Sequence, residues 1–188
     1  NHELRMDDDV YQMRQDQSVT VTFPLVGATA EALGLTGVKA LAWTTTPWTL
    51  PTNAALAVGP EIEYAIVPAG PNGAADARGA ASADDAVEGE SLYLLAADTL
   101  PAYAKDLGYE SAADAQAAIT RTVSGAELGG VHYDRLFDYY ADVETFGMQN
   151  AWQILVAEYV ATGECTGIVH QAPAYGEDDQ NVCAAAGI

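Results

Sequence analysis

The chain predicts an α+β fold, a small β-barrel-like domain with short helices at its periphery. Three observations predict it. At least six short segments show the alternation or the Val, Ile, Thr and aromatic enrichment of strands. Gly, Pro and Asp turn signals separate them at short intervals. The helical stretches between them are few and short, and no internal repeat is visible.

Residues 1–17 are polar, with Asp7, Asp8, Asp9 and Asp16, and read as a linker; residues 18–188 read as the domain. Residues 18–24 alternate, with Val19, Val21 and Phe23 on one face and Ser18, Thr20 and Thr22 on the other, which predicts a half-buried strand. Ala30 to Leu33 predicts a short helical turn before Gly34, and residues 39–45 a second strand. Residues 53–58 are apolar and stop at the Gly59-Pro60 turn. Residues 64–67 predict a strand. Residues 69–90 are rich in Ala, Gly, Asp and Ser without periodicity, and read as a flexible surface loop expanding a hairpin whose second strand is 91–95.

Asp98 is placed to cap a helix running to Leu107 and ended by Gly108, with Pro101 in its first turn. Leu100, Tyr103, Ala104 and Leu107 form its apolar stripe. Ser111 with Asp114 has the spacing of a capping box for a short Ala-rich helix to about Ala118. Strands follow at 119–123, 153–159 and 166–170, with a turn at 126–129. A helix over 177–186 closes the chain before Gly187.

Composition bounds the function. At 188 residues, 49% hydrophobic and 18% charged, the chain is a single globular domain by length and composition. No apolar run approaches the roughly 18 residues of a membrane span, so no membrane partner is expected. The opening Asn1-His2-Glu3-Leu4-Arg5 lacks the basic and apolar regions of a signal peptide, and reads as the start of a piece excised from a longer cytoplasmic protein. Cys165 and Cys183 form no Cys-x-x-Cys pair, so a zinc knuckle is not expected and both read as reduced thiols. The net charge of −20 is the wrong sign for tight autonomous nucleic-acid binding. It is compatible with receiving only the end of a nucleic acid that a basic body holds elsewhere. A monomer is the plain expectation.

The chemistry concentrates in Trp43-Thr44-Thr45-Thr46-Pro47-Trp48-Thr49-Leu50-Pro51. Four threonines, two tryptophans and two prolines fall together in a chain with three Trp in all. Pro47 biases Thr46 to an extended backbone, so the strand is expected to end near Thr45 or Thr46. Its last hydroxyls would lie at a sheet rim, each with one donor and two acceptor lone pairs. A second dense stretch lies far along the chain: Gly167-Ile168-Val169-His170-Gln171-Ala172-Pro173-Ala174-Tyr175-Gly176-Glu177-Asp178-Asp179. By residue type alone, the Thr run reads as strand, His170 as a satisfied structural residue, and the aspartates as partners of a helix dipole.

Together the two stretches resemble the editing domain, connective peptide 1, of isoleucyl-tRNA synthetases. The related valyl and leucyl enzymes typically continue Thr-Thr with Arg-Pro and an acidic residue; here Thr46-Pro47-Trp48-Thr49-Leu50-Pro51 follows, with Asn53 shortly after. The resemblance spans nearly the whole chain and implies a small β-barrel with external helices. It implies that Thr44, Thr45 and Thr46 contact the terminal adenosine and orient the attacking water, and that His170 lines the amino-acid pocket and helps exclude isoleucine. It assigns Asp179 to the substrate's α-ammonium, and places Trp48 at the pocket wall and Asn53 near the site. The catalytic set it implies is Thr44, Thr45, Thr46, His170 and Asp179. Thr46, Trp48, Asn53, His170 and Asp179 bind substrate.

The implied partners are the 3′ end of tRNA(Ile) carrying valine and the rest of a parent synthetase. The implied activity is hydrolysis of mischarged Val-tRNA(Ile), with valyl-adenylate as a second candidate substrate. No cofactor or metal is implied for this domain. ATP and Mg belong to the parent, whose His-x-Gly-His and Lys-Met-Ser-Lys-Ser motifs are absent here. No Gly-x-Ser-x-Gly elbow or Cys–base pair suggests a covalent nucleophile. Two other readings compete: a barrel that only positions the tRNA end, and a metal-dependent hydrolase using His170, Asp178 and Asp179.

Overall fold

The computed structural model describes residues 18–72, 91–162 and 165–188. The expected linker 1–17 and most of the expected loop 69–90 lie outside the described residues.

The strands are β1 (Val19–Val26), β2 (Lys39–Thr44), β3 (Ala55–Val58), β4 (Glu63–Pro68), β5 (Leu92–Ala96), β6 (Arg121–Ser124), β7 (His132–Tyr133), β8 (Ile154–Val156) and β9 (Ile168–Gln171). Six of them form a mixed sheet in the order β6-β4-β5-β2-β1-β7, and three form a second sheet, β8-β3-β9. A bridge between His132 and Gln153 ties the β7 edge of the first sheet to the start of β8. The Ala96 amide donates to the Thr166 carbonyl at 2.8 Å, joining the end of β5 to the approach of β9. The result is a curled half-barrel with a few short helices, the α+β architecture expected.

Period-two alternation explains how the sheets pack. Ala40 and Ala42 of β2, Ile66 of β4 and Leu94 of β5 face the barrel interior. There they meet Leu56, Val58, Ile154 and Ile168 of the second sheet. Leu41, Val67 and Leu95, one residue out of phase, bury a separate cluster with Leu100, Ala104, Leu107 and Ala115 on the outside. The large sheet is thus covered on both faces, so β4 reads as a continuous apolar run.

The helices are α1 (Gly27–Ala32), α2 (Leu100–Tyr103), α3 (Ala112–Ala117), α4 (Gly125–Leu128), α5 (Val143–Phe146) and α6 (Glu177–Ala185). The Ser111 hydroxyl caps α3 by accepting the Asp114 amide, as its spacing predicts. Gly187, at φ 75°, follows α6.

Four expectations are corrected. The helix expected from Asp98 to Leu107 is a 3₁₀ turn, Ala97–Thr99, then the single turn of α2. Asp98 caps neither; the Thr99 hydroxyl instead donates to the Ala96 carbonyl at 2.9 Å. The apolar stripe is buried nonetheless, because the same residues pack whether the backbone is helix or turn. The turn expected at 126–129 is α4, stabilised by a Ser124–Glu127 capping box. The strand expected over 153–159 shortens to β8. The strand ending at Thr45 or Thr46 stops at Thr44, for a reason that belongs to the site.

Candidate active site

β2 delivers Thr44 to the rim on the same face as Ala40 and Ala42, and Thr44 is buried. Its hydroxyl then accepts the Thr46 amide at 3.0 Å. That side-chain bond takes a donor the ladder would need, and it ends the strand early. Pro47 begins a 3₁₀ helix, Pro47–Thr52, where its missing N–H costs nothing. The helix carries Thr49 back over the rim. Thr49 donates its hydroxyl to the Thr46 carbonyl at 2.8 Å, and the Thr44 and Thr46 hydroxyl oxygens lie 3.2 Å apart.

β9 supplies the other half. Leu56 of β3 pairs with His170 of β9, and His170 shares its inward face with Ile168. Gly167 permits the approach of β9 with φ 75°. A Cβ there would stand 2.4 Å from the Ala96 Cβ. His170 is 7% exposed. Its Nε2 lies 3.0 Å from the Thr49 hydroxyl and its Nδ1 lies 2.8 Å from Asn53 Nδ2.

These contacts fix every proton along the line. Asn53 Nδ2 also lies 3.0 Å from the Ala55 carbonyl, which can only accept, so the amide orientation is set. The second Nδ2 proton goes to His170 Nδ1, which therefore carries none. The His170 proton sits on Nε2 and is donated to Thr49. At the far end, the Tyr133 hydroxyl donates to Asn53 Oδ1 at 2.6 Å. The chain runs one way, from Tyr133 through Asn53, His170 and Thr49 to the Thr46 carbonyl. Of the rim hydroxyls, that of Thr46 retains a choice of acceptor.

Burial lowers the His170 pKa to about 4, so the imidazole is neutral at physiological pH. With both nitrogens occupied, it is a wall and a hydrogen-bond relay rather than a general base. It also offers no free nitrogen to a metal. Among the described residues no group of three or more His, Cys, Asp or Glu is arranged to hold one.

Asp179 lies in the first turn of α6, and its Oδ2 accepts the Ala172 amide at 2.7 Å, two residues past His170. Burial raises its pKa, against that hydrogen bond, and the neighbouring Asp178 charge adds to the rise. The carboxylate keeps further lone pairs for a cationic partner. Asp178 is exposed. Thr45 is exposed at the bend. Trp48 is 68% exposed, projecting from the 3₁₀ helix rather than packing into the core.

The structure therefore brings Thr44, Thr46, Asn53 and His170 into one hydrogen-bonded cluster through Thr49, with Asp179 anchored to Ala172 just past the strand that carries His170. It adds Thr49, Tyr133 and Trp152, which sequence reasoning missed. Thr49 had a signal, its place in the Thr run; Tyr133 and Trp152 had none. A cavity of about 490 Å³ lies on the opposite face of β2, lined by Trp43, Thr20, Tyr103 and Asp98 among others, and none of the expected catalytic or substrate-binding residues lines it.

Solved structures share this fold. The editing domain of a P. knowlesi cytosolic leucyl-tRNA synthetase matches with a TM-score of 0.58 at 16% identity, covering 89% of this chain and 61% of that one. The chain described as GlLeuRS-CP1 matches at 0.57 with 14% identity over 88% and 58%. The fold is that of the connective peptide 1 class of synthetase domains to which these structures belong. No protein-family profile matches the chain.

Sequence relatives carry the assignment further. An isoleucine–tRNA ligase of Leifsonia xyli subsp. xyli is 72% identical over all 188 residues, which span 16% of its length. Those of Tropheryma whipplei and Mycobacterium tuberculosis are 52% and 47% identical over the whole chain, at 16% and 15% of their lengths. Over its whole length the chain is similar to a stretch of isoleucine–tRNA ligases, and it spans about a sixth of the length of these relatives.

Proposed function

We propose that residues 18–188 form an editing deacylase that releases valine from mischarged Val-tRNA(Ile). The observation that carries this reading is the neutral His170 joined to the Thr44, Thr46 and Thr49 rim. Such a site positions water and substrate without an ionised base of its own. A water oriented by the rim attacks the aminoacyl ester carbonyl. The bond to the ribose oxygen breaks, and valine leaves as the free acid while the tRNA regains its hydroxyl. Asp179 holds the α-ammonium through a charge-assisted bond, a contribution of about 1.5–3 kcal/mol.

Isoleucyl-tRNA synthetases are themselves the standard illustration of the selectivity problem: one methylene is worth only about 1–3 kcal/mol in a synthetic pocket. A second pocket walled by buried His170 reverses the test. One extra methylene against a rigid wall costs roughly 1–3 kcal/mol, and isoleucine is refused. The domain works as a monomeric unit of the larger cytoplasmic ligase, which supplies ATP chemistry and grips the tRNA that this acidic piece does not.

Deacylation of Val-tRNA(Ile) and Ile-tRNA(Ile), by the chain and by the full-length ligase, tests the reading. Faster release of valine in either supports it. Absence of valine release from both sinks it and leaves a barrel that only positions the tRNA end.

A further inference from the structure

We propose that Tyr133 is a positioning residue of this site, holding His170 in its Nε2–H tautomer through Asn53. The inference rests on the deacylase reading only for its effect on rate. Tyr133 lies on the two-residue strand β7, remote in sequence from both motifs, and is 3% exposed. Its ring packs edge-on against Phe23 at 5.1 Å. Its hydroxyl reaches the Asn53 Oδ1 directly behind the imidazole.

A second residue holds the same asparagine by its backbone. Trp152 donates its indole N–H to the Asn53 carbonyl at 3.2 Å and its amide to the Ala54 carbonyl at 2.7 Å. The Trp152 carbonyl in turn accepts the Tyr133 amide at 3.1 Å. Trp152 has φ 55°, among the described residues the single non-glycine with positive φ. Such a backbone persists where the surroundings over-determine it. Tyr133 and Trp152 thus clamp Asn53 from two sides, one at its side chain and one at its main chain.

The tautomer matters because the chain of donors is directional. With the proton on Nδ1, Nε2 would have to accept from Thr49. Thr49 would then withdraw its proton from the Thr46 carbonyl, and the Asn53 amide would confront a second N–H. The direction of the Thr49 hydroxyl is therefore set from behind the imidazole, by an Asn53 amide that the Ala55 carbonyl orients and the Tyr133 hydroxyl holds at its Oδ1.

The test combines ring-nitrogen NMR of the histidine-labelled chain with deacylation kinetics. The wild type is expected to show a bare Nδ1 on His170 at neutral pH. Tyr133→Phe leaves Asn53 Oδ1 without its donor and loosens the amide that the Ala55 carbonyl orients, so both tautomers are expected to be populated, with kcat down about tenfold and KM within about twofold, as for a group acting in the reacting complex. Phe23→Leu, which alters packing around Tyr133 but keeps its hydroxyl, is expected to leave the tautomer unchanged. A folded Tyr133→Phe that keeps one tautomer and full kcat overturns the inference. So does Phe23→Leu if it shifts the tautomer as much. If Tyr133→Phe does not fold, 3-fluorotyrosine at position 133 changes the donor strength without removing it. The Asn53 amide and His170 ring signals must then move together, and static signals overturn the inference. A wild type that shows the bare Nδ1 but releases no valine sinks the deacylase reading alone.

Discussion

Asn53 Nδ2 lies 2.8 Å from His170 Nδ1 and donates to it, so the site histidine is an acceptor on one side and a donor on the other. The two residues come from opposite ends of the domain and meet because β3 and β9 are antiparallel neighbours. The relationship makes Asn53 the junction of the site.

Asn53→Ala removes a buried amide and orphans both the Tyr133 hydroxyl and His170 Nδ1. Each unsatisfied group costs about 1–3 kcal/mol. Thermal unfolding should show a clear drop in Tm, and valine release should fall with it. Asn53→Asp keeps the shape but places a carboxylate on Nδ1, which raises the His170 pKa and draws the ring proton to that nitrogen.

The His170 shift has a stability consequence whose sign follows from its direction. The unfolded chain takes up this proton near 6.5 and the folded chain near 4. Between those values the unfolded state holds more protons, so the contribution to stability rises with pH. Above 6.5 no penalty remains; at pH 4 it reaches about 3 kcal/mol. Asp179, held up by burial, acts in the opposite sense as its unfolded counterpart ionises first. Denaturant unfolding from pH 4 to 7, with Asp179→Asn as background, isolates the histidine limb. A flat profile in that background would contradict the buried, neutral imidazole.

Thr46→Ala removes the rim hydroxyl with a free choice of acceptor while leaving the Thr46 carbonyl bonded to Thr49. Valine release should fall about 100- to 1000-fold, the range for losing one positioned donor. Stability should change little, because Thr46 is only half-buried. Thr49→Val is expected to do the reverse, losing stability as well as rate, because it strands the buried His170 Nε2–H, while the Thr46 carbonyl keeps the Thr49 amide.

Asp179→Ala deletes the proposed ammonium partner. The loss of about 1.5–3 kcal/mol corresponds to roughly 10- to 150-fold in kcat/KM for Val-tRNA(Ile). An N-acetylated valyl-tRNA, which has no ammonium, should react poorly with the wild type and be no worse with the variant. Equal sensitivity of both substrates to the substitution would remove Asp179 from that role.

Gly167→Ala forces a Cβ into the left-handed region and against the Ala96 Cβ. The backbone term alone is about 1–2 kcal/mol, and the clash adds to it. Because Gly167 leads into β9, chemical unfolding should report a lower midpoint and His170 should lose protection together with the Tyr64 hydroxyl, which donates to the Gly167 carbonyl at 2.6 Å.

The sequence by itself determined the local elements whose signals are local. The alternation of Val19, Val21 and Phe23, the Ser111 cap and the Gly187 stop each act within a few residues. It also carried the resemblance to isoleucyl-tRNA synthetases, because the Thr run and the residues around His170 are dense and ordered stretches. Where a side chain competes with the backbone, prediction slipped. The Thr44 hydroxyl ended β2 early, and Thr99 replaced the cap expected of Asp98.

Only the tertiary structure decided the proton order of the site. Thr49 and Asn53 sit on and at the end of the 3₁₀ helix, Tyr133 on β7 and His170 on β9, and no local pattern links these three regions. Sheet register alone brings Leu56 opposite His170, and the closure of β7 against β1 alone brings the Tyr133 hydroxyl to Asn53. Hydrogen-bond direction depends on which partner can only donate or only accept. The Ala55 carbonyl supplies that constraint locally, and the closed barrel brings His170 and Tyr133 to the amide it orients.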